Sequence, residues 1–206
     1  MVQFISFHRL GFRNADRKGG VSPVDLSVFP ILEGVLDVVY NPARTQILLD
    51  AEARGLPCQN GLWMLVAQAK EASEHFTGQK IPDSMIETVY NSLSVQMQNI
   101  VLVGMPGCGK STVGALLAEK LGRPVLDADE EVVRIAGKSI PDIFAQDGEE
   151  VFRGYETSAL DTLGKGSGAV IATGGGCVTR ARNYPLLHQN GILFWLTRPL
   201  EKLPTN

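Results

Sequence analysis

Two spacings of apolar residues alternate along the chain. Short, mostly apolar runs at residues 35–40 (VLDVVY), 100–103 (IVLV, largely β-branched), 124–127 (PVLD), 169–172 (AVIA) and 192–196 (ILFWL) each have the length of a strand. Between them, apolar positions recur at helical spacing. A helix is predicted over 43–54 with Ile47, Leu48 and Ala51 inward and Gly55 closing it, a second over 62–76, and a third over 81–93 opened by Pro82 and Asp83. A fourth follows residue 110, where Val113, Leu116, Leu117 and Leu121 share a face. Asn41-Pro42 must end the first strand, because proline biases its predecessor away from helix. GLPCQNG at 55–61 reads as a turn and SVQMQN at 94–99 as a polar link. Residues 1–20 hold no sustained period and no small-residue cleavage signal, so a frayed leader is expected there. The pattern gives a strand and three helices over residues 21–97, and over 98–206 an α/β unit with a parallel sheet and flanking helices.

Composition adds little and excludes some partners. A chain of 206 residues that is 44% hydrophobic and 20% charged can bury a core. Its net charge of −3 offers no basic field, so nucleic acid is not expected as a partner, and no apolar run approaches a membrane span of about 18 residues. The three cysteines form no CxxC pair, which points to the reducing cytoplasm rather than to a disulfide framework or a zinc site. Oligomeric state is not legible.

Chemistry concentrates after residue 98. In NIVLVGMPGCGKSTVGALLAEKL a strand drops into a glycine-rich turn and then a helix, with Gly104, Gly109, Lys110 and Ser111 at phosphate-loop spacing. Glycines let backbone N–H groups face a polyphosphate, the helix start adds partial positive charge, Lys110 reaches the outer phosphates and the Ser111 hydroxyl suits Mg²⁺. The plain alternative is a glycine turn with an exposed lysine. Asp127 and Asp129 stand one residue apart at a strand end, where both can point the same way toward a cation and a hydroxyl; Asp129 could instead cap a helix starting near Glu130. Arg153, with Glu156 one turn on, offers a planar fork to a carboxylate, or forms a surface ion pair. Gly174, Gly175 and Gly176 follow a buried strand and allow close approach to a ligand, or form a flexible loop.

Taken together, GMPGCGKST, DAD, the SIPDIF and GEEVFRGYE segments at 139–144 and 148–156, and TGGG closely resemble shikimate kinase over residues 99–203. The resemblance implies ATP and Mg²⁺ as cofactors, with Gly104, Gly107, Gly109, Lys110, Ser111 and Thr112 around the nucleotide and Ser111 and Asp127 at the metal. It implies that Asp129 holds the shikimate hydroxyls and acts as base. Arg153 would grip the substrate carboxylate, Gly174 to Gly176 would present backbone to substrate and γ-phosphate, and Phe144 and Phe152 would wall the pocket. Lys110, Asp129 and Arg153 are then the catalytic set. The family continues into a basic lid, a further strand and an adenine loop where this sequence has TRPLEKLPTN, so weak Mg·ATP binding and little or no shikimate phosphorylation are expected of the chain as given.

Residues 21–76, through DVVYNPARTQILLDAEARGLPCQNGLWMLVAQA, closely resemble the C-terminal end of shikimate dehydrogenase, with weaker likeness to residue 93. That resemblance implies shikimate contacts for Tyr40 and Gln68, and places Gly61 and Met64 near a nicotinamide. No GxGxxG turn follows a strand at this end, and hydride transfer is not expected. The whole resembles a fused dehydrogenase and kinase, with a noncatalytic nucleotide- or shikimate-binding remnant as the alternative.

Overall fold

A computed structural model describes residues 3–7, 22 and 24–199, which divide between two units, Met1–Met97 and Gln98–Asn206. The first is built on a parallel sheet in the order β1 (Gln3–Phe7), β2 (Leu32–Asp37), β3 (Cys58–Gln59). β1 lies in the segment expected to fray and pairs with β2 from Gln3↔Leu32 to Phe7↔Asp37; residues 1–2 and 8–20, the rest of that expectation, lie outside the described residues. β2 ends three residues before the apolar run does. The buried Asp37 carboxylate accepts the Val39 N–H at 3.0 Å and the Thr45 hydroxyl at 2.5 Å, closing the turn around Pro42 and drawing the chain out of the sheet.

Because Thr45 is tied to that turn, α1 (Gln46–Ala53) starts three residues later than its spacing suggests. Its inner face is the expected one: Ile47, Leu48 and Ala51 pack with Leu26, Leu32 and Val35. Gly61 lets α2 (Leu62–Thr77) begin hard against the strand end, since an added Cβ would lie 2.0 Å from the Val38 carbonyl oxygen. α3 (Ser84–Met97) runs through most of the supposed link. Nothing in SVQM breaks a helix, and polarity alone does not stop one.

The second unit holds a parallel sheet in the order β5 (Val125–Asp127), β6 (Val170–Ala172), β4 (Asn99–Val103), β7 (Gly191–Trp195). The buried Asn99 fastens its base, donating to the Gly166 carbonyl at 2.8 Å and accepting the Ala169 N–H at 2.9 Å. β4 and β6 are central and buried. β5 and β7 are edges among the described residues, so Val125, Ile192, Phe194 and Trp195 are exposed although their runs read as buried. An apolar run reports a strand, not its place in the sheet.

Flanking helices are α4 (Lys110–Leu121), α5 (Ala128–Ala136), α6 (Ile140–Gln146), α7 (Glu149–Lys165) and α8 (Asn183–His188). In α4 the buried positions are Lys110, Gly114 and Ala118, while Leu116 and Leu121 are exposed. Small residues let this helix lie close on the sheet, with Leu102, Val125 and Val170 side chains beneath Gly114. The larger side chains are displaced outward. Since all four strands run parallel, their C-terminal ends share one edge, where α/β sheets bind ligands.

Candidate active site

The loop after β4 reverses through Gly104, Gly107 and Gly109, with φ of 152°, 73° and 101°, torsions that side chains rarely tolerate. Gly104 also lacks room, an added Cβ lying 2.4 Å from the Leu196 carbonyl oxygen. Lys110 turns back into this loop: Nζ donates to the Gly104 carbonyl at 2.8 Å and the Met105 carbonyl at 3.0 Å, and sits 3.9 Å from Cys108 Sγ. Only 8% exposed, it is not the exposed lysine of the plain alternative, because the loop wraps its stem. Ser111 and Thr112 lie exposed in the first turn of α4.

At the end of β5, Asp127 accepts the Asp129 N–H at 2.8 Å and caps α5. The helix therefore starts at Ala128, and the cap is Asp127, not Asp129. The two carboxylates meet through this switch from strand to helix rather than by alternation along a strand. Burial pushes the Asp129 carboxyl above its usual range and the Asp127 charge pushes it further, with Lys110 opposing.

Beyond β6, Thr173 anchors the next loop by donating both N–H and hydroxyl to the Leu102 carbonyl, at 3.1 and 2.9 Å. The three glycines that follow each face one functional element. An added Cβ would lie 2.8 Å from Asp129 Oδ1 at Gly174, 2.5 Å from Pro106 Cδ of the phosphate loop at Gly175, and 2.3 Å from Arg153 Nη1 at Gly176. None has a positive φ. They are glycine for space rather than for torsion.

Arg153, on α7, donates from Nη1 to both Glu156 oxygens at 3.1 and 3.2 Å, and from Nε and Nη2 to Glu149 Oε1 at 3.3 and 3.1 Å. Its guanidinium carbon lies 5.3 Å from the Phe152 ring centre, and that ring packs 4.6 Å from Phe144 of α6. Phe152 is buried and Phe144 exposed. Glu156 is buried, and its carboxyl is pushed up by burial, with Arg153 opposing.

Sequence reasoning missed Glu149, whose four-residue spacing from Arg153 was the available signal. It also missed the strap between Glu150 and Arg180, at 2.9 and 2.5 Å, which ties the segment after the glycines to α7 and has no local signal. In the first unit, Tyr40 is exposed beyond β2, and Gln68 and Met64 are exposed on α2. Among the described residues no group of three or more His, Cys, Asp or Glu could hold a metal ion, and no helix is long and apolar enough to cross a membrane.

The shikimate kinase family model matches residues 106–205. Shikimate kinase of Symbiobacterium thermophilum is 49% identical over 51% of this chain and 60% of its own length, and that of Caldicellulosiruptor bescii 43% identical over 52% and 62%. The structure of shikimate kinase from Acinetobacter baumannii in complex with shikimate aligns at 46% identity and a TM-score of 0.51, over 54% of this chain and 62% of that one. Shikimate dehydrogenase 1 from Peptoclostridium difficile aligns over 44% of the chain at 31% identity, but its TM-score of 0.37 carries no argument about the first unit. The chain thus spans 60% and 62% of the length of the two curated relatives named. Over residues 106–205 the chain is thus similar to shikimate kinases, and the described part of its second unit has an α/β fold with a phosphate loop like theirs.

Proposed function

We propose that the second unit transfers the γ-phosphoryl group of ATP to a hydroxyl of shikimate, a step of chorismate and aromatic amino-acid biosynthesis. The observation that supports this best is the glycine trio, whose members abut Asp129, the phosphate loop and Arg153 in turn. One strand end thereby gathers a proton acceptor, a phosphate cradle and a carboxylate fork. The loop suits a polyphosphate, with Lys110 inside it and the start of α4 behind it. Oxygen donors on Ser111 and Asp127 suit Mg²⁺, a hard cation that needs only one or two protein ligands when phosphates supply others. When bound, Mg²⁺ neutralises charge on the phosphate oxygens.

Asp129 accepts the proton of the attacking hydroxyl, whose oxygen bonds the γ-phosphorus as the bond to ADP breaks. Arg153 holds the substrate carboxylate, and Phe144 and Phe152 limit water on that side. Coupled measurement of ADP release with and without shikimate tests the reading. Release that depends on shikimate is the expected result, whereas nucleotide binding without it would leave a noncatalytic remnant.

For residues 21–97 we infer a C-terminal segment of shikimate dehydrogenase joined ahead of the kinase unit, on the strength of YNPART, NGLWML and the residues around them. Three free cysteines, Cys58, Cys108 and Cys177, favour the cytoplasm. Reduction of NADP⁺ by shikimate should be undetectable, and sustained reduction would reverse the reading of this unit as a remnant.

A further inference from the structure

Arg153 has two forked edges, and the protein itself occupies both. Nη1 binds Glu156, while the Nε and Nη2 pair, the edge shaped to hold a carboxylate side-on, is closed by Glu149 Oε1 at 3.3 and 3.1 Å. The two carboxylates are unequal. Glu156 has a side chain 2% exposed, and displacing its partner would strand a buried charge. Glu149 is 67% exposed, and its pairing lies in water, where such contacts are weak and easily exchanged. Two further approaches are narrowed: Phe152 lies against one face of the guanidinium, and Gly176 stands beside Nη1 with no space for a side chain. Glu149 is the first residue of α7, so a side-chain rotation suffices to move it away.

We infer that Glu149 is an internal competitor of the substrate carboxylate. It holds Arg153 aligned in the empty site and gives up the Nε and Nη2 edge when a carboxylate-bearing ligand arrives, thereby setting the affinity for that ligand. This deepens the proposed role of Arg153 and rests on it. Glu149 contacts no reacting atom, and its effect falls on binding.

Titration calorimetry of the full chain with shikimate and with its methyl ester, for the native protein and Glu149→Gln, tests the inference. The native chain should prefer shikimate to the ester. Glu149→Gln should bind shikimate about two- to fivefold tighter, matching the loss of one exposed ion pair, with ester affinity unchanged. Glu149→Ala, checked by thermal melting for an intact fold, should behave alike. If the native chain prefers shikimate but both variants bind it equally well or more weakly, the competitor role fails and the Arg153 reading stands. Equal affinity for acid and ester, or no binding by any form, overturns both.

Discussion

Lys110 bonds to the carbonyls of its own loop, and these are the contacts that an arriving polyphosphate would replace. Lys110→Ala should therefore do two things: abolish binding of ATP analogues and, in the nucleotide-free chain, lower stability by about 1–2 kcal/mol as two charge-assisted hydrogen bonds vanish. Calorimetric titration and denaturant unfolding measure the two effects. Unchanged nucleotide affinity would remove the loop from the mechanism. Asp129 shows the opposite balance. Its folded carboxyl titrates above its unfolded value, so the protonated form favours the fold; that contribution is present below about pH 4 and is lost as pH rises through the folded value. Asp129→Asn should thus raise the melting temperature at pH 7 by roughly 1–3 °C, a gain kept small by contact with water, and leave it unchanged at about pH 3.5, while removing phosphoryl transfer. A lower melting temperature at pH 7 would mean that its charge stabilises the fold. Asp127→Asn keeps a capping side chain, so its expected effect is confined to the Mg²⁺ dependence of nucleotide binding.

Elements place these residues by how closely they approach one another, and glycines mark the approaches. Gly114 has only ordinary contacts at 3.5 to 3.8 Å around an added Cβ, so Gly114→Ala in mid-helix should stabilise by about 0.5–1 kcal/mol in denaturant unfolding. Gly176 has a φ of −92°, which any residue adopts, but no space beside Arg153. Gly176→Ala should fold, displace the guanidinium and weaken shikimate binding by about tenfold, as expected for one disturbed charge-assisted contact; an unaltered affinity would take Arg153 out of the site. Such contrasts explain what the sequence could and could not show. In the second unit the strands and α4 were legible from spacing and the loop and glycine motifs from residue type, whereas α6 and α8 were not read. The inward face of α4 was not, because Leu116 and Leu121 look like core until the small side of the helix, Gly114 and Ala118, is seen against the sheet. The early end of β2 was hidden for a similar reason: Asp37 bonds Thr45, eight residues away. Glu149 was visible only as one of two adjacent glutamates, with nothing local to say which one meets Arg153.

At the scale of the whole molecule, every residue proposed for phosphoryl transfer lies in Gln98–Asn206. We therefore expect residues 98–206 expressed alone to bind ATP as the full chain does, measured by the same titration; weaker binding would assign the first unit a part in the site. The chain carries its own means of watching each unit. Its two tryptophans are divided between them, Trp63 on α2 with its ring 5.2 Å edge-on from Tyr90, and Trp195 at the end of β7, 76% exposed and paired in register with Val103 just before the phosphate loop. Intrinsic fluorescence is thus a two-channel signal. With Trp63→Phe the emission belongs to the second unit alone, and quenching of Trp195 by iodide should fall when nucleotide fills the neighbouring loop, while Trp195→Phe leaves a reporter for the first unit that the nucleotide does not touch.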